Sequence, residues 1–240
     1  QRITGCWAKS HTHEHFKLST KNPDTHLQAQ VKRLLKKYRI TLTGDVIIQP
    51  LNTPPKNHLL IASHTSPELS NILKTMLKES DNHIANHLFK HLYAQTCSPC
   101  DRASWEEGEN TYRSLLTTMQ LDPEKSSIVD GSGLSRNNRI SASFLQKTLF
   151  TILKNPSYQH LIFYFPHNHG KGPLQKRLGS VTSDIYAKTG YVRGAIALAG
   201  VINPFKSNEK IFTLILNGDK DAPEDYKKIE AELFTAIEKL

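Results

Sequence analysis

Apolar residues recur at helical spacing through the first two thirds of the chain, and polar or glycine-containing stretches separate these segments. Pro67 and Glu68 mark the start of one helix, because proline suits a first helical turn and an acidic side chain stabilises its positive end. Ser141 has the side chain of a helix cap. The periodicity predicts helices over about residues 27–38, 66–76, 83–93, 105–119 and 142–154.

The last third of the chain has the pattern of a sheet followed by a helix. Residues 186–190, 195–202 and 211–216 are predicted strands, and residues 224–240 form an amphipathic helix pattern. Alternation over residues 40–48 predicts two more strands around a Gly-Asp turn, and residues 59–62 fit a short buried strand. Because short loops join the strands and helices flank them, we predict an α+β fold with an antiparallel sheet flanked by helices.

Composition and charge narrow the class of protein. The 240 residues include 38% apolar and 22% charged residues, which is typical of a globular chain. No apolar run approaches the roughly 18–20 residues of a membrane-spanning helix, so we predict no membrane span. The net charge of +9 would suit an anionic partner, but the one basic cluster, over residues 32–37, falls on a predicted helix face. Aromatic residues are not interleaved with basic ones, so we predict no nucleic-acid partner.

The three cysteines are Cys6, Cys97 and Cys100. Cys97 and Cys100 have the Cys-x-x-Cys spacing of a redox or zinc half-site. A second such pair is missing, and the motif does not open a helix after a strand as a thioredoxin-like site does. The spacing therefore favours a local disulfide in an exported protein or an unpaired state, and the sequence does not choose between them.

Two polar tripeptides stand out, Ser80-Asp81-Asn82 and Lys188-Thr189-Gly190. Each tripeptide alone is weak evidence of function. The two occur in a series with the stretches 130–141, 172–178 and 198–200, of which the first reads Asp-Gly-Ser-Gly-Leu-Ser-Arg-Asn-Asn-Arg-Ile-Ser. Together these stretches resemble the C-terminal portion of the D-alanyl-D-alanine carboxypeptidase/endopeptidase family, the class C penicillin-binding proteins. The resemblance is good over residues 59–217 and looser back to residue 3.

The resemblance implies a serine β-lactamase/transpeptidase-like fold whose N-terminal part is incomplete here. Residues 1–56 would be the end of an insertion domain and the return segment, and residues 57–240 the C-terminal part of the transpeptidase-like domain. The family carries its nucleophile in a Ser-x-x-Lys motif near the N-terminus, yet no serine before Ser80 has a lysine three positions later. Ser207 and Lys210 fit the spacing but lie after the lysine tripeptide. We therefore expect an upstream part of the same enzyme to supply the nucleophile, and the isolated chain to be inactive.

The catalytic residues implied by the resemblance are Ser80, Asn82 and Lys188. Ser80 would relay a proton to the leaving nitrogen, because a hydroxyl accepts one hydrogen bond while donating another. Asn82 would hold a substrate amide, and Lys188 would supply positive potential. Asp81 is expected to be structural. The alternative for Ser80 is that it caps the following helix.

The implied substrate-binding residues are Thr189, Gly190 and Tyr191. Thr189 would bond the terminal carboxylate of the substrate, Gly190 would allow close backbone approach, and the Tyr191 N–H would be an oxyanion donor. The alternative is that these are ordinary edge-strand residues. The sequence departs from the family at Tyr191, where a small hydroxyl residue is usual, and at Asn86, where glutamate is frequent.

The resemblance further implies an exported, periplasmic protein that binds peptidoglycan stem peptides and β-lactams without a cofactor. A non-catalytic wall-peptide binding module and a β-lactamase stay open as alternatives. His83, His87 and His91 have a ligand-like spacing, but no carboxylate or cysteine completes a zinc set. We therefore predict surface histidines and no metal site.

Overall fold

The computed structural model describes residues 20–48, 59, 62–97, 103–218 and 223–237. It divides into two compact units, Gln1–His64 and Thr65–Leu240. Short 3-10 turns cover Pro123–Lys125 and Gln159–Tyr164. The helices are α1 (Pro23–Lys37), α2 (Leu69–Glu79), α3 (Asn82–Ala94), α4 (Trp105–Thr118), α5 (Ala142–Lys154), α6 (Pro173–Leu178) and α7 (Pro223–Ile237). The strands are β1 (Ser126–Ser127), β2 (Arg139–Ile140), β3 (Ile185–Val192), β4 (Ala195–Ile202) and β5 (Lys210–Asn217).

The first unit contains α1, which the Asn22 side chain caps. The prediction of two strands over residues 40–48 is wrong, since these residues form no strand. An isolated hairpin is marginal in water, and here side chains of α1 bind the segment instead. Gln28 Nε2 donates to the Val46 carbonyl at 2.8 Å, and Lys32 pairs with Asp45 at 2.5 Å. Part of the predicted strand 59–62 lies outside the described residues.

The second unit is built on a three-stranded antiparallel sheet in the order β3-β4-β5. The predicted class of fold is confirmed, and β4 has its predicted bounds. Lys188 pairs with Ala199 in the register of β3 and β4. Among the described strands β3 is an edge strand, because it comes first in this order and β4 is the one strand that pairs with it. The small strands β1 and β2 pair with each other, which the sequence analysis did not predict.

Helices cover both faces of this sheet, and alternation along the strands sorts the side chains between two cores. One core joins the sheet to α6 and α7 through Leu174, Leu178, Val181, Ile185, Ala187, Leu198, Ile202 and Phe234. The other joins it to α5 and the 3-10 turn through Leu149, Leu153, Ile162, Ala199 and Val201. Because Ile185 and Ala187 face α6 and α7, the intervening positions of β3, including Lys188, face the α5 side.

Two glycines allow close packing around α3. A Cβ on Gly108 of α4 would lie 2.9 Å from the Phe89 carbonyl oxygen, and one on Gly131 would lie 2.2 Å from the Ala85 carbonyl oxygen. Both distances are shorter than side chains tolerate, so these contacts require glycine. The loop after β1 is thereby placed directly against α3. None of the helices in the described ranges is long and apolar enough to cross a bilayer.

Candidate active site

Ser80 lies at the junction of α2 and α3 in a left-handed conformation (φ 53°, ψ 47°). This conformation costs an L-residue about 1–2 kcal/mol, so the surrounding structure must hold it. The Ser80 N–H donates to the Met76 carbonyl at the end of α2. The Asp81 carboxylate accepts from the N–H groups of His83 and Ile84 at 3.0 and 3.1 Å. Asp81 is therefore the cap of α3, and the alternative that Ser80 caps this helix is wrong.

The structure brings Lys188 of β3 to this junction. Its ammonium donates to the Ser80 hydroxyl oxygen at 2.8 Å and to the Thr189 carbonyl at 2.9 Å. Burial lowers the pKa of Lys188. None of the ion pairs in the described part of the chain includes Lys188. Because an ammonium has three N–H donors, one is left for an anionic ligand.

The outer edge of β3 is covered at its start and open further on. The segment 166–168 pairs with the start of the strand, where the Ala187 N–H donates to the Pro166 carbonyl at 3.0 Å. In an antiparallel strand every second residue points its N–H and C=O to the same side. The backbone groups of Thr189 and Tyr191 therefore point to the same outer edge as that of Ala187. No backbone group in the described residues covers them there, so an extended ligand can pair with this stretch.

The other candidate residues lie around this edge. Asn82 is exposed in the first turn of α3, and its side chain makes no hydrogen bond to another described residue. Tyr191 is 63% exposed. A Cβ on Gly190 would meet only Ala197, at 3.4 Å, so internal packing does not require this glycine. Gly190 shares a strand face with Lys188, and the missing side chain leaves room beside the ammonium.

Asp130 organises the neighbouring loop, a role that was not predicted from the sequence. Its carboxylate accepts from the N–H groups of Gly133 and Ser135 at 2.7 and 2.8 Å and from Asn138 Nδ2 at 3.0 Å. Burial alone would raise the pKa of Asp130, but these hydrogen bonds outweigh it and the pKa is lowered. An aspartate followed by glycine and serine is typical of a side-chain-capped turn, and that signal could have indicated this role.

The same loop connects α3 to the far end of β3. Asn86 Oδ1 accepts from the Ser132 N–H at 3.0 Å, and Arg136 donates to the Arg193 carbonyl at 3.3 Å. Arg193 follows the end of β3, just beyond Tyr191. Asn86, which departs from the family pattern, therefore positions the loop. No signal in the sequence pairs residues so far apart.

An antiparallel sheet with helices on both faces is the fold of the transpeptidase-like class of proteins. The structure of penicillin-binding protein 4 from Haemophilus influenzae, in complex with a β-lactam, is similar with a TM-score of 0.77 and 28% identity. Residues 1–238 match the D-Ala-D-Ala carboxypeptidase 3 (S13) family, and the chain belongs to this family. The resemblance found in the sequence is thus confirmed.

Curated relatives agree with this family. The chain is 29% identical to D-alanyl-D-alanine carboxypeptidase DacB of Haemophilus influenzae over 222 residues, which are 90% of this chain and 45% of the relative. It is 28% identical to a D-alanyl-D-alanine carboxypeptidase of an Actinomadura species, covering 75% of this chain and 34% of that protein. The Haemophilus structure is covered over 52% of its length and this chain over 92%. The chain therefore spans between about a third and about half of the length of these relatives.

Proposed function

We propose that this chain supplies the proton-relay and substrate-binding part of a serine-type D-Ala-D-Ala carboxypeptidase/endopeptidase that acts on peptidoglycan stem peptides. The observation that carries the proposal is the 2.8 Å hydrogen bond from Lys188 to Ser80. The names of the relatives support the substrate, and the β-lactam in the similar structure supports penicillin binding. An exported, periplasmic location fits the disulfide formed by Cys97, since disulfides persist in oxidising compartments.

The reaction would be acyl transfer in two steps. The nucleophilic serine oxygen attacks the carbonyl carbon of the penultimate D-Ala, and the C–N bond to the terminal D-Ala breaks. The leaving nitrogen takes a proton and departs as an amine. Water then attacks the acyl-serine ester, which releases the shortened peptide and restores the serine hydroxyl. Ser80 and Lys188 would act where the leaving nitrogen is protonated.

The geometry suits this relay. Since Lys188 donates to the Ser80 oxygen, the hydroxyl hydrogen of Ser80 is free to point toward the leaving nitrogen. When Ser80 gives up that proton, the ammonium replaces it or stabilises the remaining negative charge. The lowered pKa of Lys188 makes its proton easier to transfer. The third ammonium donor and the Thr189 side chain would bind the terminal carboxylate of the peptide.

The open edge of β3 would hold the peptide backbone, and the Tyr191 N–H would be one oxyanion donor. Asn82, which is exposed next to Ser80, would bond a substrate amide with its side chain. Gly190 would let the peptide approach the strand on the Lys188 face. Along this edge the Thr189 carbonyl already accepts from the Lys188 ammonium at 2.9 Å, while the Asn82 side chain makes no hydrogen bond to another described residue.

The nucleophilic serine is not among the residues assigned above. Since no Ser-x-x-Lys precedes Ser80 and the chain spans about half of the length of its relatives, we propose that a separate segment supplies the nucleophile. The isolated chain is then expected not to react covalently with a penicillin. The non-catalytic alternative shares this expectation, so a second experimental arm is needed to separate the two.

The test compares the chain alone with the chain joined to whatever coding sequence lies upstream of it. Both are incubated with a fluorescent penicillin, and D-Ala release from a stem pentapeptide is measured. The proposal expects labelling and D-Ala release only in the longer form, with both lost in its Lys188→Ala variant. Labelling of the chain alone would contradict it. A longer form that binds the pentapeptide without labelling would establish the binding module, and rapid release of the label would establish a β-lactamase.

A further inference from the structure

His83 and His87 form an exposed pair of imidazoles on α3 that the proposed function does not use. They lie four residues apart, and both side chains are exposed. Their ring centroids are 4.2 Å apart, with the planes at 68°. Neither side chain makes an ion pair or hydrogen bond within the described residues. The two rings are therefore close together and accessible to a ligand.

The spacing of the pair suits a shared metal ion. Residues four apart on a helix lie one above the other on one face, and two histidines at this spacing are a recurrent metal-binding arrangement. Imidazole nitrogens bind divalent transition metals at about 2.0–2.1 Å. With ring centroids 4.2 Å apart, rotation of two exposed side chains is enough to aim one nitrogen of each ring at the same ion. The helix backbone needs no rearrangement.

The absence of a complete zinc set led to the prediction of no metal site, but on the ring geometry we propose that His83 and His87 bind a divalent transition metal as a two-imidazole chelate on the outer face of α3. No group of three or more histidine, cysteine or acidic side chains gathers around an ion position within the described ranges. Water would therefore complete the coordination, and the ion would exchange readily. Affinity should follow the general order for nitrogen ligands, with Cu²⁺ bound more tightly than Ni²⁺ or Zn²⁺.

The third histidine of this face is engaged elsewhere. Nε2 of His91 lies 2.9 Å from Nε2 of Gln95, which selects His83 and His87 as the chelating pair. A metal there would link the first two turns of α3, the helix that Asp81 caps. Because the ion binds the folded helix and not the unfolded pair, it should raise the thermal midpoint by mass action.

The test uses a reference form of the chain in which His11, His13 and His15 are replaced by Gln, since that run could also bind metal. Cu²⁺ is titrated calorimetrically into the reference form and into its His83→Gln and His87→Gln variants. A matched control is His26→Gln, which removes a single exposed histidine on α1. Electron paramagnetic resonance of the bound Cu²⁺ counts its nitrogen ligands.

The proposal expects about one equivalent of Cu²⁺ bound by two nitrogens in the reference form and in His26→Gln. Loss of an outer-shell partner typically weakens metal binding about 10–100-fold, so loss of a direct ligand should weaken it at least about tenfold in each α3 variant. The rise in thermal midpoint with Cu²⁺ should disappear in the same two variants. Equal Cu²⁺ affinity in all forms, or an equal loss in His26→Gln, would overturn the proposal.

Discussion

The Ser80 hydroxyl oxygen lies 2.8 Å from the Lys188 ammonium nitrogen, although the two residues are 108 positions apart in the chain. One group belongs to a helix junction and the other to an edge strand. Asp81 holds the junction by capping α3, and pairing with Ala199 fixes the position of Lys188 along the sheet. The contact therefore depends on two independent parts of the second unit, and its consequences can be tested separately from catalysis.

Ser80→Ala and Lys188→Ala should have non-additive effects on D-Ala release. In the form of the protein that includes a nucleophile segment, each change should lower kcat/KM by about 10²–10⁴-fold, the range for loss of a proton-transfer group. If the two act as one relay, the double variant should be no slower than the slower single variant. Steady-state kinetics of the four proteins measure this, with Lys171→Ala as an exposed control. Multiplying effects would show that the two groups act independently.

The lowered pKa of Lys188 predicts how the stability of the isolated chain depends on pH. Between the lowered pKa and the ordinary value near 10.5, the unfolded state binds more protons than the folded state. Stability should therefore rise with pH in this window, because the cost of burying the charge disappears as folded Lys188 loses its proton. The Lys188→Met variant lacks this contribution. In urea unfolding, the free energy of unfolding of the wild-type chain should increase relative to that of Lys188→Met as the pH rises from 7 to 10.

The matched control for this measurement is Lys171→Met, which removes an exposed lysine. The difference between wild type and Lys171→Met should stay nearly constant over the same pH range. A wild-type chain that loses stability relative to Lys188→Met between pH 7 and 10 would contradict the assigned direction of the pKa.

Gly190 and Gly200 lie on neighbouring strands, and the same substitution should affect them differently. A Cβ at Gly200 would lie 2.1 Å from the Tyr186 carbonyl oxygen, so Gly200→Ala should lower the free energy of unfolding by about 1–3 kcal/mol or more. A Cβ at Gly190 would only reach Ala197 at 3.4 Å, so Gly190→Ala should change it by about 0.5 kcal/mol or less. Denaturant titration measures both.

Although Gly190→Ala should leave the free energy of unfolding nearly unchanged, it should lower the rate of reaction with a penicillin. In the form with a nucleophile segment, Gly190→Ala should slow labelling by a fluorescent penicillin, because the added methyl group fills the space beside Lys188. A folded Gly190→Ala protein that is labelled at the wild-type rate would show that the ligand does not approach this face of β3.

In the second unit, the bounds of a helix or strand could be predicted from the sequence where a single residue pattern continues without interruption. Strand β4 has its predicted bounds because Ala195–Ile202 is apolar throughout and glycine or a turn precedes and follows it. Helix α3 was predicted within one residue at each end because its apolar stripe is regular. The prediction of strands over residues 40–48 was wrong. Alternation of apolar and polar residues shows which face a strand would bury, but it does not show whether a neighbouring strand is present to accept and donate the backbone hydrogen bonds.

The site was only partly accessible from sequence. The two tripeptides indicate Ser80 and Lys188, but their distance follows from the packing of α3 against the sheet. Serine and aspartate are equally good caps, so the sequence could not decide that Asp81 caps α3 and that Ser80 adopts a left-handed conformation. The hydrogen bond from the Ser132 N–H to Asn86 Oδ1 joins residues 46 positions apart, and no local pattern predicts it.

Asp130→Asn should destabilise the isolated chain in a pH-dependent way. The carboxylate accepts from two backbone N–H groups and from Asn138, and replacing it with an amide weakens these bonds by about 1–3 kcal/mol in total. Since the folded pKa is lower than the ordinary 3.8, the contribution is complete above this value and is lost as the pH falls through the folded pKa. The difference in free energy of unfolding between wild type and Asp130→Asn should therefore be full at pH 7 and 5 and reduced at pH 3.

Urea unfolding at these pH values measures this difference, with exposed Glu106→Gln as the control. An advantage that is the same at all three pH values would show that Asp130 does not act through its charge.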